Sequence, residues 1–441
     1  MTVPQDKWIS TTGEHDWTDA GSWSAGVVPD ATYNVFMTLN AAPFQADVTT
    51  AVAMHDFQFS SPKATLNETD AGSMTARNVT FLRGNVILAG ANTFHSTDIV
   101  VATVEALNAS AFGSGAISMT NAGGVLLAGG DITLKNSFTV SGGEFAALPS
   151  HTLILDGTME VDATPAGAFV TFGDSGDGDT GTVEVAGKGF TLSGGGELGI
   201  TVSAGTVTSG TGARDIAATD MFGDATFVAV DSGATLDLTH FGTSLTLDGL
   251  TGQGTVETTG GLRTVGLSDA DFSGTFAGRM NFLVTGDSTL TGAGIGSHTI
   301  TFGSGTDTLD LSGAHGEFIV SAPAGADAEI KVGHGDIQTM KFTDFQLGHL
   351  TIDTLDPSSS VVTFHDHATS VTASINPKDG TPIYTLTFAG VSSHDGFVTG
   401  TDGHGHLEIT YSTAEAHAAL HDAAVESAAA SASYVPVHDG F

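Results

Sequence analysis

Cysteine is absent from all 441 residues. That excludes disulfides, zinc thiolates and a cysteine nucleophile. Basic residues are scarce, with 12 Lys and Arg against 49 Asp and Glu, giving a net charge of −37. No basic patch exists to neutralise phosphates, so nucleic acid is not an expected partner. Divalent cations, calcium above all, are the expected partners of so much carboxylate. No run of about 18 apolar residues occurs, so no transmembrane segment is expected. Tryptophan stops early: Trp8, Trp17 and Trp23 are the only three, and none follows in the remaining 418 positions.

What is present is glycine, 59 residues of it, with a hydrophobic share of 40 % and a charged share of only 14 %. That much apolar content argues against an acidic disordered tail. From about Val35 to Thr410, runs of three to six β-forming residues alternate with Gly, Asn, Asp and Ser, as in "NVTFLRGNVILAG" and "GGVLLAGGDITLKNSFTVSGG". The runs read as strands and the punctuation as tight turns. Tandem sandwiches, a propeller and a parallel β-solenoid all generate such a texture. Short strands, frequent glycine, a preponderance of Phe among the aromatics (26 Phe against 4 Tyr and 3 Trp) and weak self-similarity favour the solenoid. At one coil per roughly 20 residues, positions 41–411 predict on the order of 18 coils.

Residues 86–143 contain "LAGANTF", "AFGSGAI" and "GGVLLAGG" in that order. The succession resembles the coil repeat of autotransporter passenger domains. Residues 233–294, from "GATLDL" through "LTGQGTVETTGG" to "TLTGAG", resemble the passenger-associated transport repeat. The resemblance implies an all-β chain, a right-handed parallel β-helix. An autotransporter ends in a membrane barrel of alternating strands, whereas this sequence ends in "AAVESAAASASYVPVHDGF". Its start, "MTVPQDKWIS", shows no secretory leader. Residues 299–410 resemble the C-terminal part of type I secreted solenoid proteins, which implies export by that route. The expected location is the exterior or surface of a Gram-negative bacterium.

The expected organisation has four parts. Residues 1–40 form an N-terminal cap in which Trp8, Trp17 and Trp23 cover the open end of the core. Residues 41–411 form the solenoid. Residues 412–433, introduced by the capping box Ser412/Glu415, are the only helical signal. Residues 434–441 are an extended tail carrying Tyr434, Val435, Val437 and Phe441.

Candidate chemistry is sparse. "GDSGDGDTG" at 173–181 offers Asp174, Asp177 and Asp179 to calcium, or is a solvated turn. "FGSGTDTLD" at 302–310 partly matches a calcium-binding nonapeptide through Asp307, although Phe302 replaces its first glycine. His365/His367 and His404/His406 pair at spacing two, as metal ligands or as exposed polar positions. His417 and His421 sit at helical spacing, but Ala418 stands where a zinc protease needs Glu. "GDSG" and "DTG" in the first loop lack the partner groups of a protease. No enzyme is expected and no cofactor beyond Ca2+. The expected function is a structural protein that self-assembles end to end, with itself as chief partner, into a filament, surface layer or biofilm matrix. A monomeric adhesin for glycans is the alternative reading, and a polysaccharide lyase or hydrolase the second alternative.

Overall fold

The computed structural model describes residues 3–411 except 41–42, 165–166, 174–179, 188, 211–215, 292–298, 304, 311–316, 322–325, 332–337, 344–347, 353–359, 378–383, 392, 402–404 and 406. The expected helix at 412–433 and tail at 434–441 therefore lie outside the described residues.

The chain is a parallel β-solenoid of about 12 turns, with 62 % of the described residues in strands and 3 % in helix. The count falls below the sequence expectation because some turns are far longer than 20 residues. Asn78 lies against Ser96, a step of 18, but Thr158 lies against Gly189, a step of 31. Gln338 pairs with Tyr384, a step of 46, because the strands Ser360–Asp366 and Ser370–Pro377 are inserted between them.

Two compact units are formed. One comprises Met1–Gly266 with Asp271–Arg279, the other Leu267–Ala270 with Met280–Phe441. The first unit shows how composition becomes fold. In Asp56–Glu68 alternate side chains are buried, because successive residues of a strand face opposite sides of the sheet. The parallel register then stacks like on like. Phe57, Val79, Thr97, Ile117, Phe138 and Met159 form one interior column, and Phe59, Phe81, Ile99, Met119, Val140 and Val161 the next. Each fully buried large apolar side chain contributes about 1.5–3 kcal/mol. A one-residue slip would turn both columns to solvent, so the pattern fixes the register.

Ser73–Leu88, 16 residues long, supplies two faces of a turn. It bends at Gly84, whose φ is +104°. A β-carbon there would lie 2.3 Å from the Ser61 carbonyl oxygen, so only glycine fits the corner. The first unit also carries a helix that the sequence did not announce, Ile216–Gly223. It fills a long turn, burying Met221 and Phe222. Phe222 stacks on Phe172 at 6.4 Å and meets Phe241 edge-on at 5.5 Å.

Parallel pairing gives way to antiparallel pairing at three ends of the described sheets. Gln5–Lys7 pairs in parallel with Asn34–Met37 on one side. On its other side residues 22–24 run antiparallel, through Ile9 N–H to Ser22 O (2.8 Å), Ser24 N–H to Lys7 O (2.8 Å) and a Trp8–Trp23 bridge. In the second unit Leu407–Tyr411 lies antiparallel on Gly348–Ile352 and carries Phe397–Thr401. Ser370–Pro377 lies antiparallel on Tyr384–Ala389 and carries Ser360–Asp366.

Candidate functional site

Trp8, Trp17 and Trp23 share one interior cluster, each at most 1 % exposed. Trp23 meets Trp8 at 5.0 Å and Trp17 at 4.7 Å, edge to face, a geometry aromatic quadrupoles favour. Trp8 stacks on Phe44 and Trp17 meets Phe57, which joins the cluster to the interior columns. Beside it, the buried carboxylate of Asp6 accepts from Ser24 Oγ at 2.8 Å and Ala25 N–H at 3.0 Å, tying the antiparallel segment down. The three rings thus extend the interior columns at the N-terminal end of the first unit.

The outer faces carry ladders. Thr152, Thr182, Thr206, Thr235 and Thr255 stand in one column. Two residues along, Glu184, Thr208, Asp237 and Glu257 form an acidic column. Neighbouring strands lie about 4.8 Å apart, and like charges directly opposite destabilise a sheet. Asp237 is held by Thr239, whose N–H donates to Oδ1 at 2.8 Å. Near the N-terminal end a second polar ladder joins Asn78 Nδ2 to Asp56 Oδ1 at 2.8 Å and Ser96 Oγ to Asn78 Oδ1 at 2.9 Å.

Several exposed apolar side chains lie over glycine. A β-carbon at 123 would sit 3.0 Å from Val101 Cγ1, and one at 129 would sit 2.4 Å from Leu107 Cδ2. One at 199 would sit 2.2 Å from Phe227 Cζ and 2.9 Å from Phe169 Cδ1. Register places Gly142, Phe169, Gly199 and Phe227 in one column, so the rings cover the bare backbone between them. These side chains shield main-chain hydrogen bonds, although Phe169 remains 48 % exposed.

The end of the second unit differs. Among the described pairings, Ser360–Asp366 and Phe397–Thr401 are each bonded along one edge. Each carries an exposed valine, Val361 at 46 % and Val398 at 39 %. Behind them, Phe364, Phe397, Phe388 and Tyr411 form an aromatic cluster with centroids 4.6–5.2 Å apart. His394 stacks on Phe364, and its Nδ1 lies 2.8 Å from Asp366 Oδ2, which ties one edge strand to the turn that starts the other.

Most of the expected metal ligands fall on residues that the structure does not describe. Asp174, Asp177 and Asp179 lie outside the described residues, as do His404 and His406. Asp307 is fully buried within the strand Gly305–Asp310, and its Oδ1 accepts the Ser288 N–H at 3.3 Å. His365 and His367 are exposed. Among the described residues no group of three or more His, Asp or Glu is arranged to hold a metal ion, and no helix is long and apolar enough to cross a membrane.

No family model matches the chain, and neither a curated protein nor a solved structure matches it.

Proposed function

We propose that this protein is a secreted structural protein that assembles with copies of itself at a cell surface or in an extracellular matrix, a role that is architectural rather than catalytic. The observation that carries the reading is the pair of edge strands, Ser360–Asp366 and Phe397–Thr401, with Val361 and Val398 facing solvent. Edge strands offer unpaired main-chain groups to another chain, and soluble proteins blunt them with charge, proline or cover. The rigid stack behind them is suited to repetition. The acidic columns and the net charge of −37 keep copies apart until cations or protons screen them. The resemblance to exported solenoids supports an extracellular setting.

Electron microscopy of the purified full chain, with and without calcium and from pH 8 to pH 4, tests the reading. Ordered polymers are expected, increasing with calcium and with acid, which screen or neutralise the excess carboxylate charge. The double variant Val361→Lys/Val398→Lys is expected to stay folded and monomeric. Single particles under every condition, or polymers indifferent to the double substitution, overturn it.

A further inference from the structure

Glu68 ends the strand Asp56–Glu68 and points inward, where register places it between Val48 and Leu88 in a column that continues with Ala106 and Ala128. It is 1 % exposed. Its Oε2 accepts the Gly90 N–H and one Asn92 Nδ2 hydrogen, both at 3.0 Å. The same Asn92 amide donates to Ala111 O at 2.8 Å, and its Oδ1 accepts the Met74 N–H. One carboxyl oxygen therefore organises two successive turns.

The other oxygen, Oε1, is buried and meets no donor. The Gly72 carbonyl is its neighbour across the space beside Gly90. A β-carbon built on Gly90 would lie 3.0 Å from Glu68 Oε1 and 2.1 Å from Gly72 O. One on Gly72 would lie 3.0 Å from Glu68 Cγ, 2.2 Å from Val48 O and 3.1 Å from Thr69 O. Both neighbours are glycine because no side chain fits in that space.

Among the described residues no cation faces the group. The segments packed on it are 44–48, 69–74, 88–92 and 106–111, and their titratable residues are Asp47 and Asp70. Asp47 lies on the outer face, where its Oδ1 accepts from Gln45 and Asn67, and Asp70 is exposed. The adjoining Glu105 also stands on the outer face. An ionised Glu68 would bury a charge on an oxygen that meets no donor, with only acids nearby among the described residues, and such a charge is costly.

We propose that Glu68 is a proton-operated lock on the turns between Phe44 and Ala111. With the proton on Oε1, the hydroxyl donates to a facing carbonyl while Oε2 holds Gly90 and Asn92, and the corner is closed. Without it, the corner holds an unpaired charge and loosens. Burial accordingly pushes Glu68 above the usual glutamate range, against the opposing pull of Asn92 and Gly90. A raised pKa gives stability that is fully present below the unfolded value, about 4.3, and lost as pH rises through the folded value.

The test compares wild-type full chain with Glu68→Gln, whose amide keeps an acceptor for Gly90 and Asn92 and supplies a permanent donor to the carbonyls. Melting temperatures are measured from pH 4 to pH 9. The two proteins are expected to melt together near pH 4 and to diverge as pH rises, with the variant the more stable. A difference constant across the range, or a wild type that gains on the variant as pH rises, overturns the lock. Carbon NMR of the Glu68 carboxyl in the wild-type protein tests it without a substitution. A midpoint displaced upward from the exposed glutamates supports the lock, and a midpoint among them overturns it.

Discussion

The indole N–H of Trp23 donates to the carbonyl of Trp17 at 2.8 Å, and the two rings meet edge-on 4.7 Å apart. The bond satisfies a buried donor and sets the angle at which residues 22–24 return across Gln5–Lys7. Trp23→Ala removes ring, bond and edge cover together. It is expected to cost about 3–5 kcal/mol, as large-to-small aromatic substitutions in cores do. Urea unfolding followed by Trp8 and Trp17 fluorescence measures it. A loss below about 1 kcal/mol would show that the cluster is not part of the cooperative core.

Two glycines separate backbone crowding from side-chain crowding. A β-carbon at 157 would lie 1.6 Å from the Asn136 carbonyl oxygen, a main-chain atom that cannot step aside. A β-carbon at 199 meets Phe227 and Phe169 rings on the outer face, and rings can rotate into solvent. Gly157→Ala is therefore expected to destabilise by more than the ~1–3 kcal/mol of ordinary overpacking, and Gly199→Ala by less than Gly157→Ala. Thermal unfolding of the two variants checks the order, and equal losses refute the argument.

How much of this was legible in the sequence follows from what repeats. Short strands, frequent glycine and weak self-similarity point to the solenoid, because each turn repeats the same bends. The confinement of Trp8, Trp17 and Trp23 to one end was equally plain, although their mutual geometry was not. Glu68 gave no signal. Its inward place depends on register with Val48 and Leu88, which lie on other turns. Phe169 and Phe227 gave no signal either, and only the register with Gly199 shows that they cover an outer face. The antiparallel endings were hidden for the same reason, since strand direction is set by the path of the loops and not by the strand's own composition.

Two aspartates on outer faces are expected to respond to pH with opposite sign. Desolvation raises Asp16, but hydrogen bonds from the Thr18 and Thr49 hydroxyls and the Thr18 N–H outweigh it and hold the carboxyl below the usual range. Its contribution is present above the unfolded value, about 3.9, and is lost as pH falls through the folded one. Desolvation also raises Asp98, and one hydrogen bond from Ser118 does not offset it. Its contribution is present below about 3.9 and is lost as pH rises through the folded value. Asp16→Asn is thus expected to lower the melting temperature at pH 7 and to converge with wild type near pH 2. Asp98→Asn is expected to raise it at pH 7 and likewise to converge in acid. Melting curves of both variants at the two pH values decide it, and shifts of the same sign at pH 7 contradict the assignment.

The proposed assembly needs a connector between copies. Tyr434, Val435, Val437 and Phe441 crowd apolar surface into eight residues. The alanine-rich sequence before them predicts a helical spacer about 30 Å long. An extended segment of this kind suits strand addition, in which main-chain bonds give affinity and alternate side chains give register. The edge strands Ser360–Asp366 and Phe397–Thr401, with Val361 and Val398 exposed, are where it would dock on a neighbouring copy. The competing role is an export signal that is idle once the protein is outside. Production in a cytoplasm bypasses export and separates the two. Protein lacking residues 434–441 is expected to keep its circular dichroism and melting temperature and to lose polymerisation, and adding the free eight-residue peptide to full-length chain is expected to slow assembly. A truncated protein that polymerises like the full-length chain would leave the edge strands to meet one another directly and would remove the tail as connector.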